Sequence, residues 1–159
     1  MGNNNEVFIK ETFNAGIQRV FKAWTDPEKL IKWFAPHGCT ISFKTLDIKA
    51  GGKFHSCISN PQYGDCWCIG QYKEVTPYTK LVFTMINADE QGNPINPADI
   101  GMDLEWPGET VVTVTLTEEN GQTKLQLRQT VAEDVAKRTG AHPSWLQMLN
   151  NLRSIITIN

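Results

Sequence analysis

Four residues near the middle of the chain have side chains that could do chemistry together: His55, Cys57, Cys66 and Cys68. Neutral imidazole and thiolate are good zinc ligands, and alternate residues on two paired strands project to one side of a sheet. The same thiols beside His55 could also form a thiolate–imidazole pair for nucleophilic attack. The spacing argues against both uses. It contains no C-x-x-C and matches none of the usual zinc patterns. Nothing at a recognisable spacing orients the histidine or forms an oxyanion hole. Buried free cysteines otherwise act as small, mostly apolar fillers, and Cys57 and Cys68 are read that way, as part of a cavity wall. No metal and no cofactor are expected. Asp103 and Glu105, beside Trp106, could act on a ligand at a cavity mouth, but they read better as solvated loop charges. Glu74 reads as a structural ion-pair partner, with Arg128 a candidate.

The aromatic and sulfur-bearing residues say more. Trp33, Tyr72, Phe83, Met85, Trp106, Trp145 and Met148 come from every part of the chain that could face a common interior. Such residues dominate any core. They also suit the wall of an apolar pocket with few polar anchors. With Cys57 and Cys68 they form the expected ligand-binding set, around an unidentified small apolar or amphipathic molecule.

Composition narrows the classes. A chain of 159 residues fits one domain of common size, taken here as 1–159 with a core at 7–156. Its net charge of −2 supplies no basic field for a phosphate backbone, so nucleic acid is not an expected partner. No apolar run is long enough for a membrane span, and the first residues lack a signal-peptide core. A cytoplasmic setting is therefore expected, with all four cysteines reduced.

The positioning elements follow from periodicity. Val7 to Phe13 reads as a strand, and Asn14 can cap a helix bearing Ile17, Val20, Phe21 and Trp24 on one face. Thr25-Asp26-Pro27-Glu28 restarts a second helix, capped by Asp26 or by a Thr25–Glu28 box, with Leu30, Trp33 and Phe34 as its buried stripe. Six strands follow in three pairs: Ile41–Ile48 with Lys53–Ser59, Cys66–Val75 with Leu81–Ala88, and Thr110–Thr117 with Thr123–Val131. Ala50-Gly51-Gly52, Pro77 and Asn120-Gly121 turn them. The long loop from Asp89 to Glu109 carries Met102, Leu104 and Trp106, and is expected to be a lid. A last helix, opened by Pro143, has Trp145, Met148, Leu149, Leu152 and Ile156 on one face.

Hairpin register assigns the faces of the sheet. A symmetric loop after the third strand sets Cys57 opposite Cys68 and His55 opposite Gly70. The inner face then collects Leu46, Ile48, Cys57, Cys66, Cys68, Tyr72, Leu81, Phe83 and Met85, with Phe54, Ile58 and Trp67 as apolar exceptions outside. The last pair sets Val112, Val114 and Leu116 opposite Gln129, Leu127 and Leu125. Ile41 and Phe43 have the wrong parity for Leu46, which calls for a bulge near Lys44-Thr45.

The order of these elements is similar to the SRPBCC (START-like) superfamily. Trp24 to Phe34, Gly51-Gly52 and Gly70-Gln71-Tyr72-Lys73-Glu74-Val75-Thr76-Pro77 resemble its Aha-type branch, named for the activator of heat shock protein 90 ATPase. Where many relatives carry Gly-Trp at the start of the last helix, this chain has Ser144-Trp145. The resemblance implies an α+β helix-grip fold, a curved antiparallel sheet wrapped around a long C-terminal helix with a cavity between them. It implies a ligand-binding module first. Cyclase- or hydrolase-like enzymes share the scaffold, and the branch name implies a chaperone contact.

Overall fold

A computed structural model describes residues 5–156. One seven-stranded antiparallel sheet runs in the order β1-β7-β6-β5-β4-β3-β2, from Val7–Phe13 (β1), Thr40–Leu46 (β2), Lys53–Asn60 (β3), Gly64–Thr76 (β4), Lys80–Ala88 (β5), Glu109–Glu119 (β6) and Gln122–Gln129 (β7). Helices α1 (Ile17–Thr25) and α2 (Pro27–Leu30) follow the first strand, and α3 (Glu133–Thr139) and α4 (Ala141–Ile156) follow the last. This is the expected α+β helix-grip arrangement, with the long helix last.

Local chemistry explains the elements. The side chain of Asp26 accepts from the Glu28 amide at 3.0 Å and Pro27 takes the first helical position, which settles the α2 cap. Helix α1 differs from expectation. Its N-cap is Gly16 with no side-chain cap, and the Glu118 carboxylate from β6 accepts the Ile17 amide at 3.1 Å instead of Asn14. Helix α2 is a single turn, so Trp33 and Phe34 lie beyond it on a tightly wound segment. Trp33 is nevertheless anchored, donating its indole N–H to the Ala23 carbonyl at 2.9 Å.

Two differences concern the C-terminal segment and the sheet. The last helix begins at Ala141 rather than Pro143, and α3 precedes it, ended by Gly140 at φ +90°. The hairpin joining β3 and β4 has a three-residue loop, Pro61-Gln62-Tyr63. The Asn60 side chain accepts from the amides of Gln62 and Tyr63, and Gly64 takes φ +90°. An odd loop shifts register by one residue. Cys57 therefore pairs with Trp67, Ser56 with Cys68 and Phe54 with Gly70. The inner face gains Phe54, Ser56 and Ile58, His55 and Cys57 turn outward, and Trp67 stays outside as expected, with Ile69 beside it. The expected bulge in β2 lies between Phe43 and Thr45, and it brings Ile41, Phe43 and Leu46 to the same inner side. The β6–β7 register is as expected, Val112 opposite Gln129 and Leu116 opposite Leu125.

Helix α1 lies against β6 and β7, while α4 lies against β1 and α1. Inward-facing Val112, Val114, Leu125 and Leu127 meet Trp145, Leu149 and Leu152 there in a fully buried core. The Trp145 indole donates to the buried Gln129 side chain at 2.8 Å, so the polar tip of this large residue is satisfied. No described helix is long and apolar enough to cross a membrane.

Candidate functional site

The inner face of β2–β5 is roofed by the α1–α2 region rather than by α4. An internal cavity of about 40 Å³ remains there, lined by Trp24, Leu30 and Phe34 above and by Phe43, Phe54, Ser56, Ile58, Cys68, Tyr72, Leu81, Phe83 and Met85 from the sheet. Its walls are aromatic by design of the strands. Phe54 packs on Tyr72 at 5.8 Å and on Phe83 at 6.2 Å between ring centroids, and Tyr72 meets Phe83 at 5.7 Å. Gly70 makes this possible. A Cβ there would collide with the Phe54 ring and with the Thr84 carbonyl oxygen, so the missing side chain is what lets the ring lie down on the sheet.

Three of the lining residues, Trp24, Ser56 and Tyr72, carry a polar N–H or hydroxyl group. The indole N–H of Trp24 is buried and has no hydrogen-bond partner among the described residues. Tyr72 is buried, and its burial raises the pKa of its phenol, which keeps it protonated. A buried donor left unpaired costs about 1–3 kcal/mol, so such groups call for an acceptor. The neighbouring indole shows what satisfaction looks like: Trp33, 4.6 Å from Trp24 between ring centroids, has its carbonyl.

Of the residues expected to bind ligand, Cys68, Tyr72, Phe83 and Met85 share this cavity. Trp33 packs behind Trp24 and Phe34. Trp145 and Met148 belong to the core under α4, although Trp145 touches Phe34 edge-on at 5.7 Å. Cys57 is buried on the opposite face of the sheet, a correction that follows from the three-residue loop. Trp24, Phe54 and Ile58 were missed as lining residues. The register explains the last two, and Trp24 could have been found as the end of the α1 stripe.

The same register separates the cysteine–histidine group. His55 and Cys57 face outward, and Cys66 and Cys68 face inward. Among the described residues no three His, Cys, Asp or Glu side chains are grouped to hold a metal. Burial pushes the Cys68 thiol up to about 12, so it is protonated at neutral pH and a poor nucleophile. His55 instead serves a turn, its Nε2 donating to the Asp89 carbonyl at 3.1 Å, with Trp67 at 5.1 Å between ring centroids. That turn walls a shallow groove of about 400 Å³ on the outer face, with Lys53, Gln71, Lys73 and Glu109 at its edges.

The long loop is structured and tied down. Pro97–Ile100 forms a 3-10 turn, and Ala88 bridges Pro94. Arg138 of α3 donates to both oxygens of Asp103 at 2.7 and 3.0 Å and to Glu105 at 2.7 Å. The Arg138 guanidinium holds the Asp103 carboxyl down at about 2. These carboxylates clasp the loop to a helix rather than solvate it. Trp106 packs on the core and Met102 is half-buried, but Leu104 is 87% exposed and does not fold inward. Glu74 pairs with Lys80 at 3.6 Å, while Arg128 pairs with Glu6.

Residues 14–157 match the profile of the family described as Activator of Hsp90 ATPase homolog 1-like protein. The chain belongs to this family. Solved structures of similar fold agree across nearly its whole length. A solution structure from Arthrobacter aurescens superposes with a TM-score of 0.83 at 21% identity, covering 98% of this chain and 88% of that one. A crystal structure from Chromobacterium violaceum gives 0.80 at 22%, covering 98% and 99%. A protein from Silicibacter pomeroyi whose description carries the family's name gives 0.76 at 19%, covering 96% and 98%. No curated protein matches the sequence. Identities this low speak for the fold, and the family fold fits a ligand-binding scaffold.

Proposed function

We propose that this Hsp90-activator-homologue-like domain binds a small, largely apolar molecule at the inner face of β2–β5, and that the molecule carries a hydrogen-bond acceptor. The observation that carries the reading is a buried, unpartnered indole N–H on Trp24, a residue that lines the apolar cavity. Ligand pockets pair apolar walls with one or two fixed polar groups, and this is that combination in miniature.

A space of 40 Å³ suits a water molecule or two, far short of the several hundred Å³ typical of ligand pockets. Binding therefore requires the walls to part. The side chains able to do so are the half-buried ones, Phe43, Ile58, Cys68 and Met85, of which methionine adapts most readily. Side-chain rearrangement of this kind is common on binding and needs no movement of the sheet.

The test uses prodan, an uncharged naphthyl ketone whose fluorescence reports both apolar surroundings and hydrogen bonding to its carbonyl. Wild type is expected to bind it with a blue-shifted emission, and Trp24→Phe to bind about tenfold more weakly, the worth of one good buried hydrogen bond. Equal affinity in the two proteins, with Trp24→Phe still folded, contradicts the reading. Native mass spectrometry of freshly purified protein supplies a check independent of the variant, with a co-purified apolar molecule as the expected result.

A further inference from the structure

A second concave site lies outside the sheet–helix interior and has a different chemistry. It is a cleft of about 600 Å³ between α1, the α2 segment and the end of α4. Among the described residues, every titratable side chain lining it is cationic: Arg19 and Lys22 from α1, Lys29 from α2 and Lys32 just beyond it. Its floor is aliphatic, made by Ala23 and by Ile155 and Ile156 of the last turn of α4. We infer that this cleft binds small anionic amphiphiles, molecules with a carboxylate, sulfonate or phosphate head on an apolar body.

Charge complementarity selects the head. The protein as a whole is acidic, at −2, yet Lys22, Lys29 and Lys32 converge here beside Arg19, and the described lining residues include no carboxylate. Lys22, Lys29 and Lys32 form no ion pair among the described residues, whereas Lys44, Lys49, Lys80, Lys124 and Lys137 each do. Lys22 and Lys29 each sit in the last turn of a helix, where the macrodipole favours a cation. That placement explains each lysine singly but not their convergence with Arg19 and Lys32. Arg19 is held in position by its Nη1, which donates to the Ile156 carbonyl at 3.2 Å.

Shape and floor select the body. A cleft of this volume matches a discrete small molecule, whereas a bilayer surface needs a flat or protruding face. Ile155, half-buried over the buried Ala23 and Ile156, offers contact to methylenes or an aromatic ring, so a bare anion would leave part of the site unused. The site shares no lining residue with the inner cavity, so it stands whether or not that cavity takes a ligand.

The experiment compares 8-anilinonaphthalene-1-sulfonate with N-phenyl-1-naphthylamine, the same molecule without its sulfonate. The sulfonate is expected to shift amide resonances of residues 18–32 and 155–156, and to weaken steeply from about 20 to about 500 mM salt. The double variant Lys22→Gln/Lys32→Gln is expected to weaken it about tenfold with little change in melting temperature, while prodan binding is unchanged. Three results overturn the inference: sulfonate binding indifferent to salt and to the double variant, inorganic phosphate binding as tightly as the sulfonate, or binding to phosphatidylglycerol vesicles without binding of the monomeric probe. Loss of prodan binding in Trp24→Phe with sulfonate binding retained separates the two sites.

Discussion

The two halves of the concave face differ in residue type and in how they are covered: the strands of one turn valine and leucine inward, those of the other mainly phenylalanine, tyrosine and methionine. Over β1, β7 and β6 the inward side chains meet helices directly, and Val112, Leu125, Leu127, Leu149 and Leu152 are all fully buried. Over β2–β5 the covering is the short α2 turn and the aromatic segment after it, and Phe43, Ile58, Cys68 and Met85 stay half-buried around a residual cavity. A long amphipathic helix fills a curved sheet with regular ridges of side chains. A one-turn helix cannot, and it leaves adaptable packing and an unpaired donor. One half is packed solid, and the other keeps a small space that its half-buried side chains border.

Several substitutions bear on that contrast. Trp145→Ala, in the filled half, should cost about 3–5 kcal/mol, the usual range for a large buried aromatic. It also strands the Gln129 side chain. Denaturant melts check this, and a midpoint close to the parent's would mean that the helix-backed half is no better packed than the other. Gly70→Ala, in the loose half, is expected to cost about 1–3 kcal/mol, because the new methyl meets a backbone carbonyl that cannot move aside. Its diagnostic is displacement of Phe54 and loss of prodan binding together. Met85→Ala should cost about 2 kcal/mol, the low end for such a truncation, since the site is already imperfectly filled. It should also tighten prodan binding. Weaker binding instead would show that Met85 grips the ligand rather than filling its place.

The smallest effect concerns the clasp. Arg138→Gln should leave the melting temperature within about 2 °C of wild type, because exposed ion pairs contribute little. Hydrogen exchange should nevertheless rise across 97–106. The pH dependence has a definite sign. Asp103 has a folded pKa depressed to about 2, below the ordinary value of about 3.9. Its contribution is complete above that ordinary value and is lost as pH falls through about 2. Loop exchange that accelerates already between pH 7 and 5 would contradict this assignment.

Much of the fold was legible, and its failures have physical causes. Asn120-Gly121 fixes a two-residue turn, so the β6–β7 register follows from sequence alone. The β3–β4 loop has no such signature; whether Asn60 or Ser59 closes the strand decides its parity, and that one residue moved Cys57 to the outer face. Helix α3 was missed although Glu133-Asp134, Lys137-Arg138 and Gly140 carry ordinary start and stop signals. Pro143, a strong start signal, lies at the third position of α4 and not at its first. At the site, Tyr72, Phe83 and Met85 could be anticipated by parity. The Trp24 donor could not, because an unpaired indole is a property of its neighbours and not of its own type.

The most direct measurement follows the five indole N–H resonances in a ¹⁵N-labelled sample during titration with prodan. The Trp24 resonance is expected to move most and to shift downfield as its hydrogen gains a carbonyl acceptor. The Trp33 and Trp145 resonances, already bonded to Ala23 and Gln129, should move little. A Trp24 signal that stays still at saturation, or one that already shows a strong bond before prodan is added, would contradict the proposed binding.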